Sequence, residues 1–220
     1  MLVKNGKLNF VDDKFIGNLM KKLFAYLVLI GTTGLASAQV SNFTGLSGAV
    51  NLSSVSSRTE VVSQFQLGGD NWGGSVQAAY GLELSSSSVI GFGLNYSLGN
   101  SKSGATYDNK VATNTVNIKN QYSFYLEPGS LLSDNTLLYG KISVEKGKFA
   151  VTSIPASDGF SKSISGTGYG AGLRHMLDKS KFVQVEFMKV AYKTTTPPRD
   201  LTTKIKSSTT LGTIGIGMKF

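Results

Sequence analysis

The chain has 220 residues, a formal net charge of +9 and no cysteine. It therefore holds no disulfide, no thiolate metal centre and no lipid-bearing cysteine, and a single histidine excludes a histidine cluster. Such a basic balance would suggest nucleic acid in a cytosolic protein, but the first segments of the chain point elsewhere.

Residues 1–19 contain Asp12, Asp13 and Lys14, show no periodicity, and read as a start codon assigned too early. Residues 20–38 read as a secretory signal: Lys21 and Lys22 follow Met20, Leu23 to Ile30 are apolar, and Ala36-Ser37-Ala38 precedes Gln39. That apolar run is too short to span a bilayer, and small residues at 36 and 38 suit signal peptidase. Cleavage between Ala38 and Gln39 removes Lys4, Lys7, Lys14, Lys21 and Lys22 with Asp12 and Asp13, a net +3, so +6 of the +9 remains. Residues 39–220 then form one domain, with no Pro-rich linker and no helical periodicity.

Segments of about ten residues follow in which apolar and small or polar side chains alternate, the period of a strand. Leu46 to Leu52 form the first. Val76 to Leu84 form the second, with Glu83 on the polar face, and Ile90 to Leu98 the third. The fourth sets Val116, Ile118, Tyr122, Phe124 and Leu126 against Asn117, Lys119, Gln121, Ser123 and Glu127. Leu138, Ile142 and Val144 oppose Tyr139, Lys141, Ser143 and Glu145 in the fifth. The sixth places Tyr169, Ala171, Leu173 and His175 opposite Gly168, Gly170, Gly172 and Arg174, and the seventh Val183, Val185 and Phe187 opposite Gln184, Glu186 and Met188. In the last strand Ile214, Ile216, Met218 and Phe220 share a greasy face opposite Thr213, Gly215, Gly217 and Lys219.

Connections alternate. Those at 85–88, 128–135 and 178–181 are short, whereas 53–74, 99–114, 146–162 and 193–208 are long and rich in Ser, Thr, Gly and Lys. Short turns on one side and long loops on the other, with strands greasy on one face, predict an eight-stranded antiparallel up-and-down transmembrane β-barrel. The greasy face meets outer-membrane lipid, and the other faces the lumen.

The strand–turn–strand Gly166 to Tyr192, the Leu138-Tyr139-Gly140-Lys141 opening and the terminal Gly215 to Phe220 make the chain resemble the OmpA-type and opacity-protein family of small barrels. The resemblance covers the whole mature chain. It implies a monomer exported to the outer membrane of a Gram-negative cell, and that the barrel-insertion machinery reads the C-terminal signal Ile214, Ile216, Met218 and Phe220. OmpA itself continues into a peptidoglycan-binding domain, which is not expected here because the sequence stops at Phe220. The opacity-protein resemblance also admits adhesion or host-surface recognition through the loops, as a surface antigen.

Strand parity assigns Glu83, Lys119, Glu127, Lys141, Glu145, Arg174, Glu186 and Lys219 to the lumen, four acids and four bases. An eight-stranded barrel leaves room for little beyond its own side chains, and enclosed charges need partners. A salt-bridged plug is therefore expected, with a narrow porin for small solutes as the alternative. A hairpin register in which partner numbers sum to 360 would set Arg174 against Glu186 as an ion pair. His175 falls on the lipid face and Leu177 stands where a lipid A deacylase would place a serine, so catalysis is not expected. No cofactor, metal or nucleic-acid site is read, because no helix follows the glycines at 166–172 and no aromatic residues interleave the lysines at 204 and 206. The net positive charge falls at the outer rim and loops, where Lys189, Lys193, Lys204 and Lys206 are expected to meet lipopolysaccharide phosphates.

Overall fold

The computed structural model describes residues 40–61, 65–108, 111–153, 160–196 and 204–220. The expectations for a misassigned start, a signal segment and cleavage between Ala38 and Gln39 lie outside the described residues.

Among the described residues, nine strands follow a short 3-10 helix, Val40–Phe43: β1 Gly45–Val61, β2 Phe65–Ser85, β3 Ser88–Ser97, β4 Ser101–Asp108, β5 Val111–Ser133, β6 Thr136–Ser153, β7 Phe160–Met176, β8 Lys181–Tyr192 and β9 Ile205–Lys219. Each neighbouring pair is antiparallel. β3 pairs with both β2 and β5, so β1, β2, β3, β5, β6, β7, β8 and β9 close into an eight-membered ring. β4 pairs only with the upper part of β5, as a continuation of β3 after a break at Leu98–Asn100. The expected eight-stranded barrel thus has one strand in two pieces.

Register shows how the ring is sheared. From Tyr96, partners run through Tyr122 and Lys146 to Ser165 in one direction. In the other they run through Val76, Val50, Ile216 and Val183 to His175. One circuit therefore shifts the register by ten residues, Ser165 to His175, and strands so staggered must tilt against the barrel axis.

The outer wall is the greasy face read from the sequence. Leu52, Phe92, Phe124, Ile142, Phe187 and Ile216 are among its exposed side chains, Phe187 and Ile216 each at 68 %. Large apolar groups left open to water at this density would be costly, whereas a hydrocarbon surround removes the cost. Trp72, Tyr96 and Tyr122 stand at the upper edge of this belt, where aromatic residues suit an interface.

Three expectations are corrected. Three of the four long connections are mostly strand: β1 runs to Val61 and β2 begins at Phe65, β4 and the start of β5 occupy most of 99–114, and β6 runs to Ser153 while β7 begins at Phe160. Hydroxyl pairs hold part of this upper wall, with Ser53 to Thr213 at 2.8 Å, Ser57 to Thr209 at 3.0 Å and Thr59 to Ser207 at 3.0 Å. Second, Val116 and Ile118 point inward and are buried, not toward lipid. A bulge between Lys119 and Tyr122, with Asn120 at a φ of 50°, exchanges the two faces of β5 at that point. Lys119 therefore leaves the lumen and lies outside, opposite Lys148. Third, β7 and β8 pair in a register summing to 358, which puts Arg174 opposite Gln184 and Glu186 opposite Gly172. The turn decides this: Leu177 N–H donates to the Lys181 carbonyl at 2.8 Å, while Asp178 accepts from Ser180 and Lys181 N–H.

Candidate functional site

The lumen is layered. At its lower mouth Val40 and Phe43 of the 3-10 helix are buried with Val89, Leu137, Met176 and Phe182. Asn42 fastens that helix by donating to the Asp134 carbonyl at 3.0 Å. Inward Gly217 makes room for the Phe182 ring, and Gly172 for the Tyr139 ring, since a β-carbon at either would overlap the aromatic atoms.

Above this apolar cap lies a buried ionic network. Glu127 of β5 forms an ion pair with Lys141 of β6 at 3.0 Å and accepts a hydrogen bond from Arg174 of β7 at 3.1 Å. Lys141 also reaches Glu186 of β8 at 2.6 Å. One lysine therefore bridges two carboxylates, and one carboxylate bridges two cations. Arg174 does meet a glutamate, but it is Glu127 rather than the expected Glu186. The network is then satisfied sideways. Tyr139 donates to Glu186 at 3.3 Å, Arg174 Nε donates to Gln184 at 3.1 Å, and Gln184 donates to Asn51 at 2.9 Å and Gln77 at 3.1 Å. Aromatic faces cover the cations: Lys141 Nζ lies 4.1 Å from the Tyr125 ring centre, and Arg174 Cζ 4.9 Å from that of Phe182. Side chains from six strands, β1, β2, β5, β6, β7 and β8, thus converge on one layer, in which each of the four charges faces an opposite charge while Glu127 Oε1 and the Tyr125 hydroxyl make no hydrogen bond.

A polar cavity of about 70 Å³ sits over the network, lined by residues including Asn51, Gln77, Gln121, Ser123, Glu145 and Lys141. It has room for on the order of five waters, taking ~10–15 Å³ for each. Glu145 faces it, accepting from Ser143 at 2.6 Å, and Gln121 donates to Tyr192 at 2.8 Å. Higher still, Val116, Ile118, Phe149, Ile164, Val190, Tyr192 and Ile205 form a second apolar cluster.

The expected balance of four acids and four bases does not hold. Glu127, Glu145, Glu186, Lys141 and Arg174 meet in the lumen. Glu83 is exposed near the lower mouth, Lys219 bonds the Ser41 carbonyl there, and Lys119 is outside. Parity alone placed Glu127, Lys141, Arg174 and Glu186 inside, and the same parity marked Tyr139 and Gln184, which the charge count passed over. His175 is on the outer wall as expected, its Nδ1 2.9 Å from the Thr136 hydroxyl. Ile214, Ile216, Met218 and Phe220 project outward and exposed, and the Phe220 N–H bonds the Leu46 carbonyl at 2.9 Å. Lys189 stands opposite Tyr169 and Thr210, and Lys206 opposite Glu60, while Lys193 and Lys204 are exposed at the upper rim. Among the described residues, no group of three or more His, Cys, Asp or Glu is placed to hold a metal ion.

The chain is similar in shape to solved outer-membrane barrels. Ail, the attachment invasion locus protein of Yersinia pestis, shares 16% identity over 80% of this chain and 100% of its own, with a TM-score of 0.48. Neisserial surface protein A shares 12% over 80% and 99%, with a TM-score of 0.49. OprG from Pseudomonas aeruginosa shares 14% over 80% and 96%, with a TM-score of 0.45. No curated protein matches the sequence. The model of the outer membrane protein β-barrel domain matches residues 24–220, nearly the whole chain. This chain belongs to the outer membrane protein β-barrel domain family.

Proposed function

We propose that the protein is a closed, surface-exposed barrel of the outer membrane that acts through its outer wall and tall hairpins rather than by conduction or catalysis. The observation that carries the reading is the layer Glu127–Lys141–Glu186–Arg174, which spans the lumen between two apolar clusters. A hydrated ion meeting that layer would have to separate buried, mutually satisfied charges, at a cost of several kcal/mol. The hairpins β1–β2 and β6–β7 carry polar strand above the belt and are the surface a partner outside the cell would meet. Export by a leader cleaved after Ala38 accords with the packing of Val40 in the lower mouth. The protein acts as a monomer, delivered by the insertion machinery through its C-terminal strand.

Liposome swelling tests the reading. Vesicles holding the refolded protein should swell in arabinose no faster than protein-free vesicles, and rapid swelling would support the narrow-porin alternative instead.

A further inference from the structure

Two features of the outer wall coincide, and neither is absorbed by a closed lumen. The first is an open apolar hollow of about 880 Å³ across β3, β5, β6 and β7, lined by Phe92, Leu94, Phe124, Ile142, Val144 and Tyr169. The second is a set of outward lysines above it. Lys146 follows Val144 on the same face of β6 and lies opposite Tyr122, Lys148 follows Lys146 and lies opposite Lys119, and Lys102 lies opposite Asn117 one step higher. At ~2.5 Å of height per residue on a tilted strand, Lys146 stands about 10 Å above Ile142. The hollow therefore occupies the outer half of the apolar belt, with the lysines at the height of the interfacial Tyr122.

This face carries a cost without its ligand. Two like charges directly opposite on neighbouring strands repel, and Lys119 faces Lys148 in that way. The outward positions bordering them, Asn117, Tyr122, Ala150, Ser163 and Ser165, hold no carboxylate. Elsewhere on the rim Lys206 has Glu60 across from it. An anion bound between Lys119, Lys146 and Lys148 would relieve the repulsion, and an apolar chain attached to that anion would lie in the hollow.

We infer that this face is a binding site for a phosphorylated glycolipid of the outer leaflet, the lipid A part of lipopolysaccharide. Its phosphates sit on Lys119, Lys146 and Lys148, and one acyl chain fills the groove over Ile142 and Val144. Because hydrocarbon surrounds the wall in any case, the groove supplies shape and the lysines supply most of the preference. The inference rests on the outer-membrane placement and is independent of whether the lumen conducts.

Native mass spectrometry of the refolded protein ejected from mixed micelles tests it. The probes are bisphosphorylated lipid A, dephosphorylated lipid A and phosphatidylglycerol, with heat-modifiable gel mobility checking that each variant is folded. The parent should retain bisphosphorylated lipid A, and Lys119→Gln/Lys146→Gln/Lys148→Gln should weaken retention by at least about tenfold. Val144→Trp, which fills the groove and leaves the lysines, should also weaken it, whereas Lys179→Gln/Lys181→Gln, at exposed positions of the short β7–β8 turn on the opposite side of the membrane, should not. Should the triple variant fail to refold, Lys148→Gln alone and a salt titration of the parent carry the test, each expected to lower retention. Equal retention by the lysine variants and the parent would overturn the site. So would equal retention of dephosphorylated lipid A, or of phosphatidylglycerol, which would reduce the face to a general anionic surface.

Discussion

Replacing Lys141 is expected to be the most damaging single change in the lumen. Its ammonium lies 3.0 Å from Glu127 and 2.6 Å from Glu186, and both carboxylates are buried. In Lys141→Met, Glu127 keeps Arg174 at 3.1 Å, but Glu186 is left with only the Tyr139 hydroxyl at 3.3 Å. Removing one partner of a buried pair costs roughly 3–5 kcal/mol, most of it the uncompensated charge that remains. Arg174→Met should cost less, about 2–3 kcal/mol, because Glu127 keeps Lys141 while Gln184 loses a donor. If the stranded Glu186 carries the penalty, Lys141→Met/Glu186→Gln should recover part of it, leaving an interaction term of about 1–3 kcal/mol in a double-mutant cycle. With Glu186→Gln completing the cycle, urea unfolding from lipid vesicles reads all five proteins through the one tryptophan, Trp72, which projects from the upper wall. An unchanged midpoint for Lys141→Met, or a larger loss for Arg174→Met than for Lys141→Met, would refute the reasoning.

Other parts of the fold make their own predictions. Ile214→Lys/Ile216→Lys should cripple membrane insertion at roughly 2–4 kcal/mol for each lysine near the midplane, and deleting Phe220 should lower outer-membrane levels; immunoblots of membrane fractions equal to parent would contradict this. Asn120→Val should destabilise the barrel by about 1–2 kcal/mol, because a β-branched residue resists the positive φ of 50° at the bulge, while Asn120→Gly should be tolerated; urea midpoints compare them. The Ser180 and Lys181 backbone N–H groups hold the Asp178 carboxyl at about 2, below its ordinary value. A depressed carboxyl contributes above its unfolded value and loses that contribution as pH falls through about 2. Parent and Asp178→Ala should therefore differ in unfolding midpoint at pH 5 and converge near pH 2.

The outer wall was legible because period two is unambiguous where Phe92, Leu94 and Tyr96 alternate with glycine and asparagine. It failed at Asn120, since one inserted residue exchanges the faces while leaving both sides of the pattern plausible. That error sent Lys119 inside and Val116 and Ile118 out. The upper strands were hidden for another reason: Ser57, Thr59, Ser207 and Thr209 fill the lumen there through hydroxyl pairs, so there is no apolar contrast to detect. The Arg174 partner was missed through a slip of two residues, which preserves every face and is decided only by how Asp178 shapes the turn. Glu127 lies 47 residues before Arg174, a contact that closure of the ring creates and no local pattern shows.

The most direct test of a closed lumen is steady-state current through single refolded barrels in a planar bilayer at 1 M KCl. The layered interior predicts a quiet baseline in the parent protein, and openings only once Lys141 is replaced together with Glu127 and Arg174. A stable conductance in the parent itself would contradict it.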